Sequence, residues 1–350
     1  MFNRITKKTN SRNSWQVTVD NLCYAFVKNV SDISIILEGN EINLSNKNDI
    51  NKILINDKLL YIFDEFNNCK IYDIISGNYI NLNLCDNEKL IVNQNFSKEY
   101  LYFQKEISLV NVSIGKIRTT DNDKKILNDF FPCFFSIDNV FGINENNFFC
   151  YNNNEQFLWK IDISILGTFF KLGHGEINIE VNRFLGVHKD KVVIELNDAS
   201  FLILNIETGE FINRLALKYL DSNIEKNIIY NYTQLHNNVL VYYKDGCYME
   251  YDLDKEVISN QFNIKDVLQT EKINDNAPNF IKEDNLLFYF VSGFGSFSNP
   301  ALVVLNLLKQ EVEWQFIYDN NDVMFIDIQK NDKNLFILDS ERVLHIFEKE

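Results

Sequence analysis

Short apolar runs separated by polar turns fill the chain, and the runs come in pairs. In residues 70–80 (Lys-Ile-Tyr-Asp-Ile-Ile-Ser-Gly-Asn-Tyr-Ile) an alternating segment meets a turn at Gly77 and a second segment follows. The same arrangement stands around Gly115 (109–117), Gly167 (159–169) and Gly209 (202–211). At 248–258 and 303–314 it persists without glycine, turning at Asp254-Lys255 and Lys309-Gln310. Weaker copies occupy 35–42, around Gly39, and the C-terminal 343–347. Alternation with period two marks a half-buried strand. Gly, Asp and Asn punctuate hairpins because they tolerate left-handed backbone.

Upstream of most of these turns lies a near-continuous apolar run, as in 58–63, 191–196, 238–243 and 285–290. Strands covered on both faces read this way. Helical periodicity is confined to 217–229 and to Ile264, Val267 and Leu268 with Glu271, both expected as insertions between strands. The turns fall near 39, 77, 115, 167, 209, 255, 309 and 348, spaced by 38 to 54 residues. A repeat of about 40–50 residues is that of propeller blades.

The expected fold is therefore all-β, a β-propeller of seven blades, with eight as the alternative. Its ring is expected to close by pairing of the N- and C-terminal strands, which removes exposed sheet edges. Residues 325–347 supply three strands of that blade, and Trp15-Gln16-Val17-Thr18-Val19 the fourth. Residues 1–14, with Arg4, Lys7, Lys8 and Arg12, read as a flexible basic tail, and 15–350 as one propeller domain.

The turn pattern, strand–Asp/Asn–apolar–x–Thr/Ser–Gly–x–strand, resembles that of the quinoprotein-like and WD40-like β-propeller superfamily over residues 15–350. The resemblance implies architecture alone.

Composition adds a core and a charge. Of 350 residues, 46% are hydrophobic, including 29 Phe and 16 Tyr, which is ample for a sizeable core. The formal net charge of −15 disfavours nucleic acid and anionic membrane and suits a basic protein partner. Cys23, Cys69, Cys85, Cys133, Cys150 and Cys247 form no CxxC pair and sit mostly in apolar stretches. They read as buried thiols of a reduced, cytoplasmic chain. No secretory signal and no run of bilayer-spanning length is present, and a monomer is expected for the chain alone.

Chemistry is sparse. His174 lies in Gly173-His174-Gly175, after a predicted outer strand. His188 and His236 hold similar positions before the inner strands of consecutive blades, which would bring both toward one face. A metal would need a further ligand that no spacing identifies, so neither metal nor cofactor is assigned. Asp121-Asn122-Asp123 and Asp319-Asn320-Asn321-Asp322 lack the glycine and distal glutamate of a calcium loop. The small-residue loop 292–300 displays Phe294 and Phe297, and aromatic residues on loops serve as contact anchors. The binding candidates are thus Phe294, Phe297, His174, His188 and His236, and no catalytic residue is assigned.

These observations favour a non-catalytic protein-binding propeller. Its most concrete form is a bacterial immunity or antitoxin-like protein that neutralises a toxin by direct contact. One alternative is a lyase or hydrolase with its site in the central channel, drawing on Asp57, Lys58, His188, Lys189, Asp190, His236 and Glu283. The other is a scaffold subunit of a larger complex.

Overall fold

A computed structural model describes residues 2–8, 16–21, 23–28, 31–56, 58–66, 68–80, 88–91, 100–105, 114–119, 124–127, 131–136, 138–144, 147–152, 156–171, 173–216, 232–244, 247–268, 280–291, 299–320 and 322–349. Among them stand eight four-stranded antiparallel sheets. Sheets one to seven span 17–45, 50–80, 88–127, 131–162, 181–216, 232–263 and 280–317. In each, the four strands pair in chain order. Sheet eight joins three C-terminal strands, Phe325–Lys330, Asn334–Asp339 and Val343–Lys349, to the N-terminal strand Phe2–Lys8.

That last pairing corrects one expectation. The N- and C-terminal strands do pair, with Phe2 opposite Lys349 and Lys8 opposite Val343. The strand that does so is Phe2–Lys8, which the sequence had suggested as part of a tail. Val17–Val19 instead opens sheet one and pairs with Cys23–Val27. The reason is physical: Arg4, Lys7 and Lys8 suit an edge strand, where charge deters further pairing. Val17 has an apolar slot of its own, packed with Phe26 against Phe336, Leu344 and Ile346.

The chain divides into two compact units, residues 1–83, 244–248 and 262–350, and residues 84–243 and 249–261. In the first, sheets one and two meet through Ala25, Val27, Ile33 and Ile35 on one side and Ile53, Ile55, Leu60 and Ile62 on the other. In the second, sheet five is buried on both faces. Val192, Ile194, Leu202 and Leu204 pack toward Phe141, Phe148 and Trp159 of sheet four. Val193, Phe201 and Ile203 pack toward Leu240, Tyr242 and Met249 of sheet six. Burial of alternate residues on opposite faces explains why the second strands read as unbroken apolar runs. Each such side chain contributes roughly 1.5–3 kcal/mol.

Three expected turns are not turns between third and fourth strands. Gly115 lies inside the strand Ile114–Thr119, opposite Gln104 and Leu127. A glycine within a strand mimics a turn signal when only the sequence is read. Gly167 follows the fourth strand of sheet four. It closes a 3-10 turn, Ile163–Leu166, that Asp162 caps through the Ser164 amide. A two-stranded hairpin, Thr168–Lys171 and Gly175–Asn178, comes next. Position 348 falls within Val343–Lys349, whose partner is the N-terminal strand. The short helix Ile264–Leu268 forms as expected; 217–229 lies outside the described residues. No helix among the described residues is long and apolar enough to cross a membrane.

Candidate interaction surface

One end of sheets two, five, six and seven is built by the same turn. The third strand ends in Asp73, Asn205, Asp252 or Asn306, and its Oδ1 accepts from the amides two and three residues later at 2.9–3.2 Å. The intervening amides of Ile74, Ile206, Leu253 and Leu307 donate to Lys58, Asp190, Asn238 and Asn285 at 2.7–2.9 Å. Those acceptors sit in the turn between first and second strands, so both turns of a sheet are tied at one end. The fifth residue adopts positive φ: Gly77 at 71°, Gly209 at 72°, Glu256 at 58° and Gln310 at 53°.

Side chains from these turns also join neighbouring sheets. In the second unit His188 Nε2 lies 2.9 Å and Lys189 Nζ 2.8 Å from Asp254 Oδ1. These contacts, Lys189 first, hold the Asp254 carboxyl below its ordinary range. Lys191 Nζ donates to the Leu253 carbonyl at 2.6 Å and to Glu256 at 3.0 Å. In the first unit Asn331 Nδ2 reaches the Asp20 carbonyl at 3.3 Å, while the Lys58 amide donates to Asp20 Oδ2 at 3.3 Å. Lys330 bonds Glu283 at 2.8 Å and lies over the Phe288 ring. Sheets seven, eight, one and two are thus linked in turn. These pairs satisfy one another and read as a fastening between sheets.

A candidate contact surface lies on the second unit. Sheet four sends Trp159 onto sheet five, where its indole Nε1 donates to the Ile206 carbonyl at 2.8 Å. The 3-10 turn and hairpin that follow root in the same core through Ile163, Leu166, Phe169 and Ile179. Arg214, on the fourth strand of sheet five, ties them down by donating to the Leu166 carbonyl at 3.3 Å. It also pairs with Asp198 at 2.5 Å. Among the side chains that this framework holds outward are large apolar ones: Ile165 is 70% exposed and Phe170 72%, with Phe211 and Ile212 also open to solvent.

The predicted residues fare unequally. His174 is exposed in the hairpin turn, its amide donating to the Lys171 carbonyl at 3.0 Å. His188 and His236 occupy equivalent registers, each the last residue of a first strand, opposite Lys191 and Val239. His188 turns to Asp254, a partner that no linear spacing announces. Phe294 and Phe297 lie outside the described residues, as does Asp57. Ile165 and Phe170 were missed. Their signal was the interruption of the blade repeat between Trp159 and Val181, the place where an insertion can carry a surface of its own. Among the described residues no group of His, Cys, Asp and Glu is arranged to hold a metal ion.

No family model matches the sequence, and no curated protein is detectably similar to it. Solved structures are similar in fold. The C-terminal WD40 domain of Sif2 superposes with a TM-score of 0.62 at 12% identity, covering 100% of this chain and 99% of that one. Sqt1 of Saccharomyces cerevisiae gives 0.59 at 11%, covering 99% and 98%. The computationally designed Ika8 protein gives 0.59 at 11%, covering 95% of each chain. The chain has a WD40-like β-propeller architecture.

Proposed function

We propose that this chain is a non-catalytic protein-binding β-propeller that neutralises a basic partner by direct contact, in the manner of an immunity protein. The observation that carries the binding reading is the pair Ile165 and Phe170, each about seven-tenths exposed on a braced insertion. Side chains of this size at high exposure are contact anchors when a rigid framework presents them. The WD40-like architecture fits an interaction scaffold. The net charge of −15 favours a partner of opposite sign, which a secreted toxin of basic character would supply.

Co-expression with the product of the neighbouring gene, followed by affinity purification of this chain, tests the reading. A stoichiometric complex is the expected result. Unimpaired growth after deletion of this gene beside an intact toxin gene would sink the immunity form.

A further inference from the structure

Building on the protein-binding reading, we infer that the hairpin 168–178 and the adjoining 206–212 turn dock a lysine- or arginine-flanked apolar segment of the partner protein. The apolar half of the argument is geometric. Phe170 pairs with Glu176, and Thr168 with Asn178, so these four residues share one face of the hairpin, and all are exposed. Phe169, on the opposite face, packs on the core. Because Leu166 is tied to Arg214 and Trp159 to Ile206, the hairpin and the start of the strand Phe211–Ala216 belong to one framework. Ile165, Phe170, Phe211 and Ile212 are the apolar side chains it exposes.

The second half is charge. Glu176, Glu180, Glu207 and Glu210 are exposed on the same segments. Thr168 Oγ1 donates to Glu176 at 2.5 Å and fixes that carboxylate beside Phe170. Arg214 cannot balance them, since its guanidinium is held by Asp198. Lys160 is drawn over the Phe149 ring, 5.6 Å from its centroid. Apolar anchors rimmed by carboxylates select a partner that is apolar at its centre and cationic at its edges. The apolar contact supplies affinity, and the rim supplies sign and on-rate.

The test uses the full chain and two labelled peptides, one alternating leucine with lysine, the other leucine with glutamate. Fluorescence anisotropy is expected to give at least tenfold tighter binding of the lysine peptide. Ile165→Ser with Phe170→Ser should weaken it tenfold or more, and Glu176→Lys with Glu210→Lys should reverse the preference between peptides. These are surface positions, and an unchanged circular dichroism spectrum certifies the fold. Lysine-peptide binding that survives both double variants overturns the inference, because it would then report the overall charge alone. Binding of neutral phosphatidylcholine vesicles through Phe170 overturns it too. A native partner captured equally by the wild type and by the Ile165→Ser, Phe170→Ser variant removes this surface while leaving the protein-binding reading standing.

Discussion

Trp159 closes over Gly209. The indole donates to the Ile206 carbonyl at 2.8 Å, and a Cβ at position 209 would fall 2.6 Å from the ring. Gly209 also holds φ at +72°, so two requirements meet in one residue. Gly209→Ala must pay left-handed strain and push the indole off its seat, a cost of about 3 kcal/mol. Gly77 has the same φ within a degree, yet a Cβ there meets only the Tyr72 hydroxyl at 3.7 Å. Gly77→Ala should therefore cost only about 1 kcal/mol. Urea titration of both variants checks the difference; equal losses would remove the packing role of Trp159.

The two turns without glycine make the converse prediction. Gln310 adopts φ 53° at the position that Gly77 and Gly209 fill in their own sheets. A side chain there bears left-handed strain that glycine does not. Gln310→Gly is expected to stabilise the chain by about 0.5–1 kcal/mol, after the entropic cost of glycine in the unfolded state. Glu256 is a poorer test, because its carboxylate pairs with Lys191. A lower urea midpoint for Gln310→Gly would contradict the account.

These turns also mark how far the sequence could be read. The strands were legible because burial on both faces leaves a plain apolar run, as in Val192 to Ile194. The Asx turns were legible at Gly77 and Gly209, where glycine, the residue and the conformation coincide. Gly115 misled, since a glycine inside a strand carries the same letter. The strand Phe2–Lys8 escaped notice because an edge strand tolerates lysine and arginine, which makes it resemble a tail. Of the candidate surface little was legible. Exposure of Ile165 and Phe170 depends on which face of a short insertion meets the core, and apolar letters alone favour the buried reading. The Asp254 partner of His188 was hidden for a related reason: the contact joins residues far apart in the chain through the packing of two sheets.

Asp252 sets an acid limit on sheet six. Its carboxylate accepts the amides of Lys255 and Asp254 and pairs with Lys255 Nζ at 3.1 Å. Those bonds, the Lys255 amide first, draw it from an ordinary 3.8 to about 2. A carboxyl with a depressed folded value stabilises the fold above its unfolded pKa, and that contribution disappears as pH falls through the folded one. The Asp252 contribution is thus present above pH 3.8 and lost toward pH 2. Asp252→Asn keeps the amide acceptor, as Asn205 and Asn306 do in the equivalent turns. It should flatten the stability profile in that window while leaving the turn formed at pH 7. An unchanged acid limb in Asp252→Asn would show that other carboxylates dominate it.

Buried thiols give a prediction independent of the turns. Desolvation pushes Cys23 up to about 11 and Cys150 up to about 12. The thiolate is the reactive form, so neither should react appreciably with a disulfide reagent at pH 8 while the fold is intact. Site-resolved mass spectrometry should find both labelled promptly in denaturant. Rapid labelling of Cys150 in the native chain would mean that sheets four and five part readily.

The N-terminal strand supplies the severest test of the fold. Seven residue pairs, from Phe2 with Lys349 to Lys8 with Val343, join it to the last strand. Removing residues 1–8 strips those backbone bonds from the strand that carries Leu344 and Ile346 into the core with Val17 and Phe26. At about 0.5–1.5 kcal/mol net per hydrogen bond, the truncation should cost on the order of 3 kcal/mol or more. It should also leave the strand Val343–Lys349 as an open edge, and open edges recruit strands from other molecules. The expected signature is a lower urea midpoint together with concentration-dependent self-association in sedimentation velocity. Adding back a synthetic peptide of residues 1–8 should reverse both, since it restores the lost partner. A truncated chain as stable and as monomeric as the full one would show that the last sheet does not depend on its N-terminal strand.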